Sequence, residues 1–182
     1  MRVIAGQAKG RRLRAPAGRS TRPLTDRMRE AIFSSLGDLV EGAAVLDLFA
    51  GSGAFGIEAL SRGAGTAVFV EKAKGALEAL SQNLAACGFE ARVAAEDVTD
   101  FLRGNPPEGP FDLIMSDPPF DLSTDRVREL GILIDHHARP GTILLLHRRH
   151  QDPDPTAPPG WRLVNTRRYG DGKLSRYQKE PA

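Results

Sequence analysis

The 182-residue sequence contains one cysteine and four histidines, so it has few of the side chains that form disulfides or bind zinc-type metal ions. Its single cysteine, Cys87, cannot form an internal disulfide and offers no cysteine-based metal site, which suits the reducing cytoplasm. Two of the four histidines, His136 and His137, are adjacent, and neighbours on a helix point about 100° apart, so they cannot hold one ion together. We therefore expect no metal site, and we expect both side chains to be solvated at a helix end.

Long apolar runs are also missing. No apolar run approaches the length of about 20 residues that spans a membrane. The N-terminus carries charge but lacks the apolar segment of a signal peptide. These absences predict a cytoplasmic protein with no membrane contact, and the length predicts one domain with a short appendage.

Positive charge is concentrated near the N-terminus. The formal net charge is only +2, but residues 1–30 contain nine basic residues and two acidic ones. The basic residues are Arg2, Lys9, Arg11, Arg12, Arg14, Arg19, Arg22, Arg27 and Arg29. This density favours a polyanionic partner, because neutralised phosphates release their counterions on binding. The alternative is a basic tail that contacts only solvent.

Residues 45–56, Val-Leu-Asp-Leu-Phe-Ala-Gly-Ser-Gly-Ala-Phe-Gly, predict a strand, a tight turn and the start of a helix. Gly51 and Gly53 let a ligand lie against the main chain, next to the N-terminus of the helix. Glu71 ends the next apolar run, at the distance of about 20 residues expected for a ribose-binding carboxylate. The pattern predicts a nucleotide-type pocket, for either a dinucleotide or S-adenosylmethionine. Asp47 favours the second, because a carboxylate at the end of the strand could meet a cationic amino group.

Around this stretch, predicted strands and helices alternate. Residues 1–24 predict a small hairpin or arm, and the next helix starts after Thr25 with Arg27 and Arg29 pointing outward. The predicted strands are 44–48, 67–71, 91–95, 111–116 and 142–147, and the predicted helices between them are 54–62, 73–87, 98–103 and 125–137. This alternation predicts a parallel sheet covered on both faces, with ligands at the carboxyl ends of its strands. After a proline-rich loop, residues 161–168 and 173–178 predict a hairpin that adds an antiparallel strand.

The second informative stretch is Asp117-Pro118-Pro119-Phe120, which follows the predicted strand 111–116. Two prolines fix the main chain, so a carboxylate, carbonyl oxygens and an aromatic ring are held in one geometry. An amino group on a nucleobase requires this set, because oxygen acceptors can turn its lone pair toward an electrophile while the ring stacks on the base. The alternative is a rigid turn after a core strand.

These motifs together resemble the Asp-Pro-Pro-Phe group of S-adenosylmethionine-dependent amino-methyltransferases, and within it the RsmD family, which methylates N2 of a guanine in 16S ribosomal RNA. The resemblance extends over nearly the whole chain. It is carried by residues 2–6 with 10–13, by 22–30, by 46–62 and by 117–120. The chain departs from the family pattern at Ala5 and Leu24, which replace a Gly and a Thr, and at His147, where a carboxylate would be expected.

The resemblance implies an α/β fold of the Rossmann-like class I methyltransferase type, with a seven-stranded, mostly parallel sheet. It implies S-adenosylmethionine as cofactor and 16S rRNA as partner, free or in the small ribosomal subunit. We expect the protein to be a monomer, although the sequence does not determine the oligomeric state. The predicted cofactor-binding residues are Asp47, Phe49, Gly51, Ser52, Gly53, Glu71, Lys72, Asp97 and Val98. The predicted catalytic residues, which would hold the guanine, are Asp117, Pro118, Pro119 and Phe120.

The predicted RNA-binding residues are Arg2, Lys9, Arg11, Arg12, Arg14, Arg22, Arg27 and Arg29. Residues 1–24 would form a basic RNA-binding extension, and 25–182 the methyltransferase domain. Two other functions remain open. A nicotinamide-dependent oxidoreductase would use the same glycine pattern but gives Asp-Pro-Pro-Phe no role, and a non-catalytic RNA-binding module gives the nucleotide pocket no role.

Overall fold

A seven-stranded sheet lies at the centre of the computed structural model, which describes residues 1–16, 25–104, 106–153 and 156–181. The strands are β1 (Ala44–Leu48), β2 (Thr66–Val70), β3 (Arg92–Ala94), β4 (Phe111–Ser116), β5 (Ala138–Arg149), β6 (Trp161–Tyr169) and β7 (Gly172–Lys179). They lie in the order β3-β2-β1-β4-β5-β7-β6. The first five are parallel, and β7 runs antiparallel to both β5 and β6. The predicted mostly parallel sheet with an antiparallel hairpin is confirmed.

Helices cover both faces of this sheet. They are α1 (Asp26–Leu36), α2 (Ala54–Ser61), α3 (Lys74–Cys87), α4 (Val98–Arg103) and α5 (Thr124–Asp135), with a 3₁₀ turn at Gly37–Val40. One core joins the N-terminal residues and α1, α2 and α3 to the sheet face that bears Met115 and Leu145, which we call the α2 face. The other core joins α4 and α5 to the face that bears Ile114 and Leu146, the α5 face. Strands buried on both faces must be apolar throughout, as the sequence of β1 is apart from Asp47.

Three of the helices begin directly after an N-cap residue. The side chains of Thr25, Asp97 and Ser123 each accept a hydrogen bond from a main-chain N–H in the first turn of α1, α4 and α5. The end of α5 differs from the prediction, because this helix stops at Asp135 and β5 begins at Ala138.

The expectation of two solvated histidines is wrong for one of them. His136 is exposed, but His137 is buried and its Nε2 lies 2.7 Å from the carbonyl oxygen of Leu102. This hydrogen bond satisfies the buried imidazole and links the start of β5 to α4.

The N-terminal residues pack on α2. Arg2 and Arg12 form an antiparallel bridge, and Val3 and Leu13 are buried in the α2-face core. The main-chain N–H groups of Ile4 and Ala5 donate to the carboxylate of Glu58 in α2, at 2.7 and 3.1 Å. Within residues 1–16, this bridge is the pairing expected of the predicted hairpin, and the apolar side of the segment faces the core.

Arg29 does not point outward as predicted. Its side chain is fully buried, 3.6 Å from Glu58, and it donates to the carbonyl oxygens of Arg2 and Ala54 and to Asp26. Positions 29, 32, 33 and 36 share one helix face, and the other three are apolar, so helical spacing places Arg29 on the buried stripe. Its charge neutralises Glu58 beneath the N-terminal residues.

Within the described residues, no helix combines the length and the apolar character needed to cross a membrane. The predictions made for Arg22 and Leu24 concern positions outside the described ranges.

Candidate active site

The loop between β1 and α2 needs its glycines for two different reasons. Phe49 has a φ of +59°, a conformation that non-glycine residues seldom adopt, and Gly51 and Gly53 have φ values of +57° and +76°. A Cβ atom at Gly53 would overlap the Leu80 side chain, and one at Gly56 would overlap the ring of Phe69. The loop is therefore held in a strained, tightly packed form, as is common at ligand sites.

Glu71 fixes this loop from the end of β2. Its buried carboxylate accepts hydrogen bonds from the N–H of Gly51 at 2.9 Å and from the N–H groups of Lys72 and Ala73 at 2.9 and 2.8 Å. These three hydrogen bonds fix the carboxylate beside the main chain of the glycine loop. Glu71 thus lies where the sequence predicts it, beside the glycine loop.

Asp47 is a buried carboxylate at the end of β1, with 3% of its surface exposed. Its Oδ2 accepts a hydrogen bond from the N–H of Gly56 at 2.9 Å, so one donor of the first turn of α2 is already used. Burial, with the nearby charges of Asp117 and Glu71, raises the pKa of Asp47 to about 8, although the Gly56 hydrogen bond acts in the opposite direction. The site therefore has an acidic group that a cationic ligand would stabilise.

A second pair of predicted cofactor residues lies after the ends of β2 and β3. Lys72 and Asp97 form an ion pair with Nζ and Oδ2 2.9 Å apart, and the hydrogen bond from Lys72 lowers the pKa of Asp97. Val98 is buried at the start of α4. These residues lie on the side of Glu71 away from Asp117, because β3 and β4 are on opposite sides of β1 and β2.

Asn83, for which no role is predicted above, joins the glycine loop to the N-terminal residues. Its Nδ2 donates to the carbonyl oxygen of Ser52 at 2.9 Å and to that of Arg14 at 3.0 Å, and its Oδ1 accepts from the N–H of Arg14 at 2.8 Å. The side chain is almost fully buried. A lone asparagine in a helix carries no pattern, so the sequence offers no signal for this contact.

Asp117 follows β4 and points into the same site from the other side. Its Oδ1 lies 2.8 Å from Nδ1 of His147, a side chain of β5 that is 7% exposed, while that of Asp117 is 30% exposed. His147 also contacts the ring of Phe120 edge to face, with centroids 5.3 Å apart. The imidazole therefore fixes both the carboxylate and the ring of the Asp-Pro-Pro-Phe turn.

Pro118 is buried and Pro119 is half-buried, so the turn is anchored in the protein. The N–H of Asp117 donates to the carbonyl oxygen of Leu48 at 3.4 Å, which ties this turn to the end of β1. The guanidinium of Arg149 lies 5.6 Å from the centroid of the Phe120 ring. Neither His147 nor Arg149 was predicted to contribute, because their place depends on the pairing of β4 with β5.

The basic residues near the N-terminus divide into exposed and buried members. Those that are exposed are Arg2, Lys9, Arg11, Arg12, Arg14 and Arg27. Arg29 is buried and cannot reach an RNA phosphate, so this predicted contact is wrong. The exposed members remain a prediction.

The fold and the two loops define a class. A sheet of order β3-β2-β1-β4-β5-β7-β6, a glycine loop after β1 and Asp-Pro-Pro-Phe after β4 are the architecture of a Rossmann-like methyltransferase. A family model described as conserved hypothetical protein 95 matches residues 1–178, and the chain belongs to that family.

Two curated relatives are named as rRNA methyltransferases. The chain is 38% identical over 187 residues to the Bacillus subtilis protein named "Putative rRNA methyltransferase YlbH", with 98% of this chain and 99% of that one covered. It is 33% identical over 188 residues to ribosomal RNA small subunit methyltransferase D of Escherichia coli K12, with 99% and 90% covered. The predicted membership of the RsmD family is confirmed.

A solved structure supports the fold over its full length. The structure titled "Putative methyltransferase yhhF from Escherichia coli" superposes with a TM-score of 0.86 at 31% identity, and covers 100% of this chain and 99% of that chain. Of the three functions that the sequence left open, family membership selects the methyltransferase over the oxidoreductase and the non-catalytic RNA-binding module.

Proposed function

We propose that the protein transfers a methyl group from S-adenosylmethionine to the exocyclic N2 of a guanine in small-subunit (16S) rRNA. The observation that carries this proposal is the position of Asp117, at the end of β4 between the glycine loop and Phe120, with His147 bonded to one carboxylate oxygen.

The glycine loop and its two carboxylates fit the proposed cofactor. Asp47 is a buried acid in need of a cationic partner, and the amino group of the methionine part supplies one. Glu71 is held against the loop at the end of β2, where we place the ribose hydroxyls. Asp97, with Lys72 beside it, lies further along the same edge, where we place the adenine.

The Asp-Pro-Pro-Phe turn fits the proposed base. His147 occupies Oδ1 of Asp117, so the other oxygen can accept an N–H of the guanine amino group. A proline carbonyl oxygen can accept the second N–H, and both acceptors together turn the nitrogen lone pair toward the cofactor loop. Phe120, braced by His147, offers a face on which a flipped-out base can stack.

For methyl transfer, the main task of the protein is to orient the guanine amino group toward the cofactor. Bound S-adenosylmethionine would supply an electrophilic methyl group, transferred from its sulfur to the amino nitrogen of the guanine. Asp117 stabilises the positive charge that develops on the amino nitrogen, and the N–H proton then leaves through this carboxylate to solvent.

The partner is proposed from the relatives and from the exposed basic side chains near the N-terminus. An rRNA substrate and a single cysteine suit the cytoplasm, and we propose a cytoplasmic protein that acts as a monomer. Both naked rRNA and the assembled subunit are candidate substrates, which a labelled methyl-transfer assay on each would separate.

Single-turnover methylation of rRNA at saturating cofactor tests the role of Asp117. Asp117→Ala should slow methyl transfer by about 10²–10³-fold, because the interaction it removes is made mainly in the transition state. Asp117→Asn should be slowed less, since an amide oxygen still accepts one N–H. Cofactor affinity should stay within a few-fold of wild type in both variants.

Phe120→Ala provides the matched comparison at the same turn. This change should weaken RNA capture by about 1–3 kcal/mol through the absence of stacking, and Phe120→Tyr should restore it. A wild-type rate for Asp117→Ala would show that Asp117 is a turn residue and that the proposed chemistry is wrong.

A further inference from the structure

A second basic surface lies on the C-terminal hairpin. Residues 161–179, which contain β6 and β7, include six basic residues and one acidic residue. β6 is an edge strand, and its residues 162–168 are all exposed. The chain thus presents positive charge at the sheet edge opposite β3 as well as near its N-terminus.

Strand register places one of these residues level with the proposed catalytic carboxylate. Ser116 of β4 pairs with Leu146 of β5, so Asp117 lies beside His147. His147 pairs with Leu174 of β7. Leu174 pairs in turn with Arg167 of β6. Leu174 belongs to the α2-face core, and the row therefore brings Arg167 to the same sheet face as Asp117. The next residue, Arg168, points to the opposite face by the alternation of a strand.

Arg149, the last residue of β5, lies between β6 and the Asp-Pro-Pro-Phe turn. It is exposed, it pairs with Gly172 at the hairpin turn, and its guanidinium lies 5.6 Å from the Phe120 ring centroid. The π-system holds this cation against the ring on which we propose that the base stacks. The phosphate of the stacked nucleotide would lie within reach of this guanidinium.

Three acidic residues, Asp121, Asp152 and Asp171, lie near this surface, against the six basic residues of the hairpin and Arg149. Asp152 is half-buried and paired with Arg148, whose side chain is buried. Asp171 lies at the hairpin turn, where its carbonyl oxygen accepts the N–H of His150. Asp121 follows Phe120 on the exposed side of the turn.

We propose that Arg149 and Arg167 form an RNA-docking surface that binds phosphates on the side of the target guanine away from the N-terminal residues. The N-terminal residues contact α2 and α3, over β1 and β2, whereas β6 is the opposite edge, and Asp117 lies between them. The rRNA strand is then held on both sides of the flipped base. This inference rests on the proposed function and names contacts that position its substrate.

Charge reversal at matched positions of β6 tests this surface. Arg167→Glu should weaken rRNA binding and lower the slope of log affinity against log salt by about 0.7, because one phosphate is no longer neutralised. Arg162→Glu is the control, because Arg162 is an exposed arginine of the same strand at the far end of the hairpin, near Glu180. It should bind rRNA with the wild-type salt slope.

Arg149→Glu should behave like Arg167→Glu, and the double variant should show about twice the decrease in slope. Heat stabilisation by S-adenosylhomocysteine should be unchanged in all four variants, which shows that the fold and the cofactor loop are intact. Equal RNA affinity and salt slope for Arg167→Glu and Arg162→Glu, with an active wild-type enzyme, would overturn the docking surface. Failure of the wild-type protein to methylate rRNA would instead overturn the proposed function.

Discussion

At the scale of single residues, the unusual feature is a neutral acid at the centre of the site. The pKa of Asp47 moves from 3.8 to about 8, so the free protein holds a proton here that the unfolded chain does not hold between these values. The free energy of unfolding should therefore fall as the pH rises through this range. A bound ligand with a cationic amino group favours the ionised form of Asp47 instead, because it stabilises the carboxylate.

Cofactor binding should consequently be linked to the release of a proton from Asp47. We expect the affinity for S-adenosylhomocysteine to rise between about pH 6 and pH 8, by up to about tenfold per pH unit. Isothermal titration in buffers of different ionisation enthalpy measures the protons released directly. Asp47→Asn should bind more weakly and without this pH dependence, and a flat profile for the wild type would contradict the assignment of Asp47 to the amino group.

At the scale of elements, the N-terminal residues pack on α2 too tightly to be an independent tail. Gly6 has a φ of +80°, and a Cβ atom there would overlap the carbonyl group of Ser61 at the end of α2. The N–H of Gln7 donates to that same carbonyl oxygen at 2.8 Å. A side chain at position 6 cannot fit unless the segment leaves α2.

Gly10 offers a matched control for this packing. Its φ is +85°, but a Cβ atom there would meet nothing within 4 Å. Gly10→Ala should cost only the left-handed backbone conformation, about 1 kcal/mol, whereas Gly6→Ala should cost at least about 2 kcal/mol more in urea unfolding. Equal destabilisation by the two changes would mean that the segment does not need its packing against α2.

The sequence predicts the parts of this protein that depend on local chemistry. The glycine loop, the Asp-Pro-Pro-Phe turn and the helix cap at Thr25 are each specified within a few residues, and all three lie where expected. The spacing of Arg29 from Ile32 and Phe33 indicates a buried position, whereas its charge favours solvent, and in the structure the spacing determines its place. His147, Arg149 and Arg167 could not be placed, since their positions depend on strand register across the sheet, which local patterns do not determine.

At the scale of the whole molecule, basic side chains lie on the surface around the site, so their charge can be changed without disturbing the core. Removing residues 1–21 would expose the core, because Val3 and Leu13 are buried, so charge reversal is the cleaner test. Arg11, Arg12 and Arg14 are exposed, and replacing all three with Glu should weaken rRNA binding and lower its salt slope by about 0.7 for each phosphate that they neutralise in the wild type.

Cofactor affinity should survive this triple change, because the main-chain atoms of Arg14 that bind Asn83 remain in place. Filter binding at several salt concentrations gives the slope, and titration with S-adenosylhomocysteine gives the control. An unchanged slope would identify the N-terminal arginines as a solvated surface with no share in RNA capture.

Because β7 lies between β5 and β6, the C-terminal hairpin must dock beside β5 for the sheet to be complete. β6 and β7 are joined by a tight turn and can pair early, but β7 must then insert beside β5 before the sheet is whole. Gly172 packs against the imidazole of His147, where a Cβ atom would overlap Nε2. A chain in which β1 to β5 have paired but the hairpin has not docked would have the glycine loop, while His147, the partner of Asp117, would lack its support from Gly172. Recovery of cofactor binding should precede recovery of methyl transfer when the denatured protein is refolded.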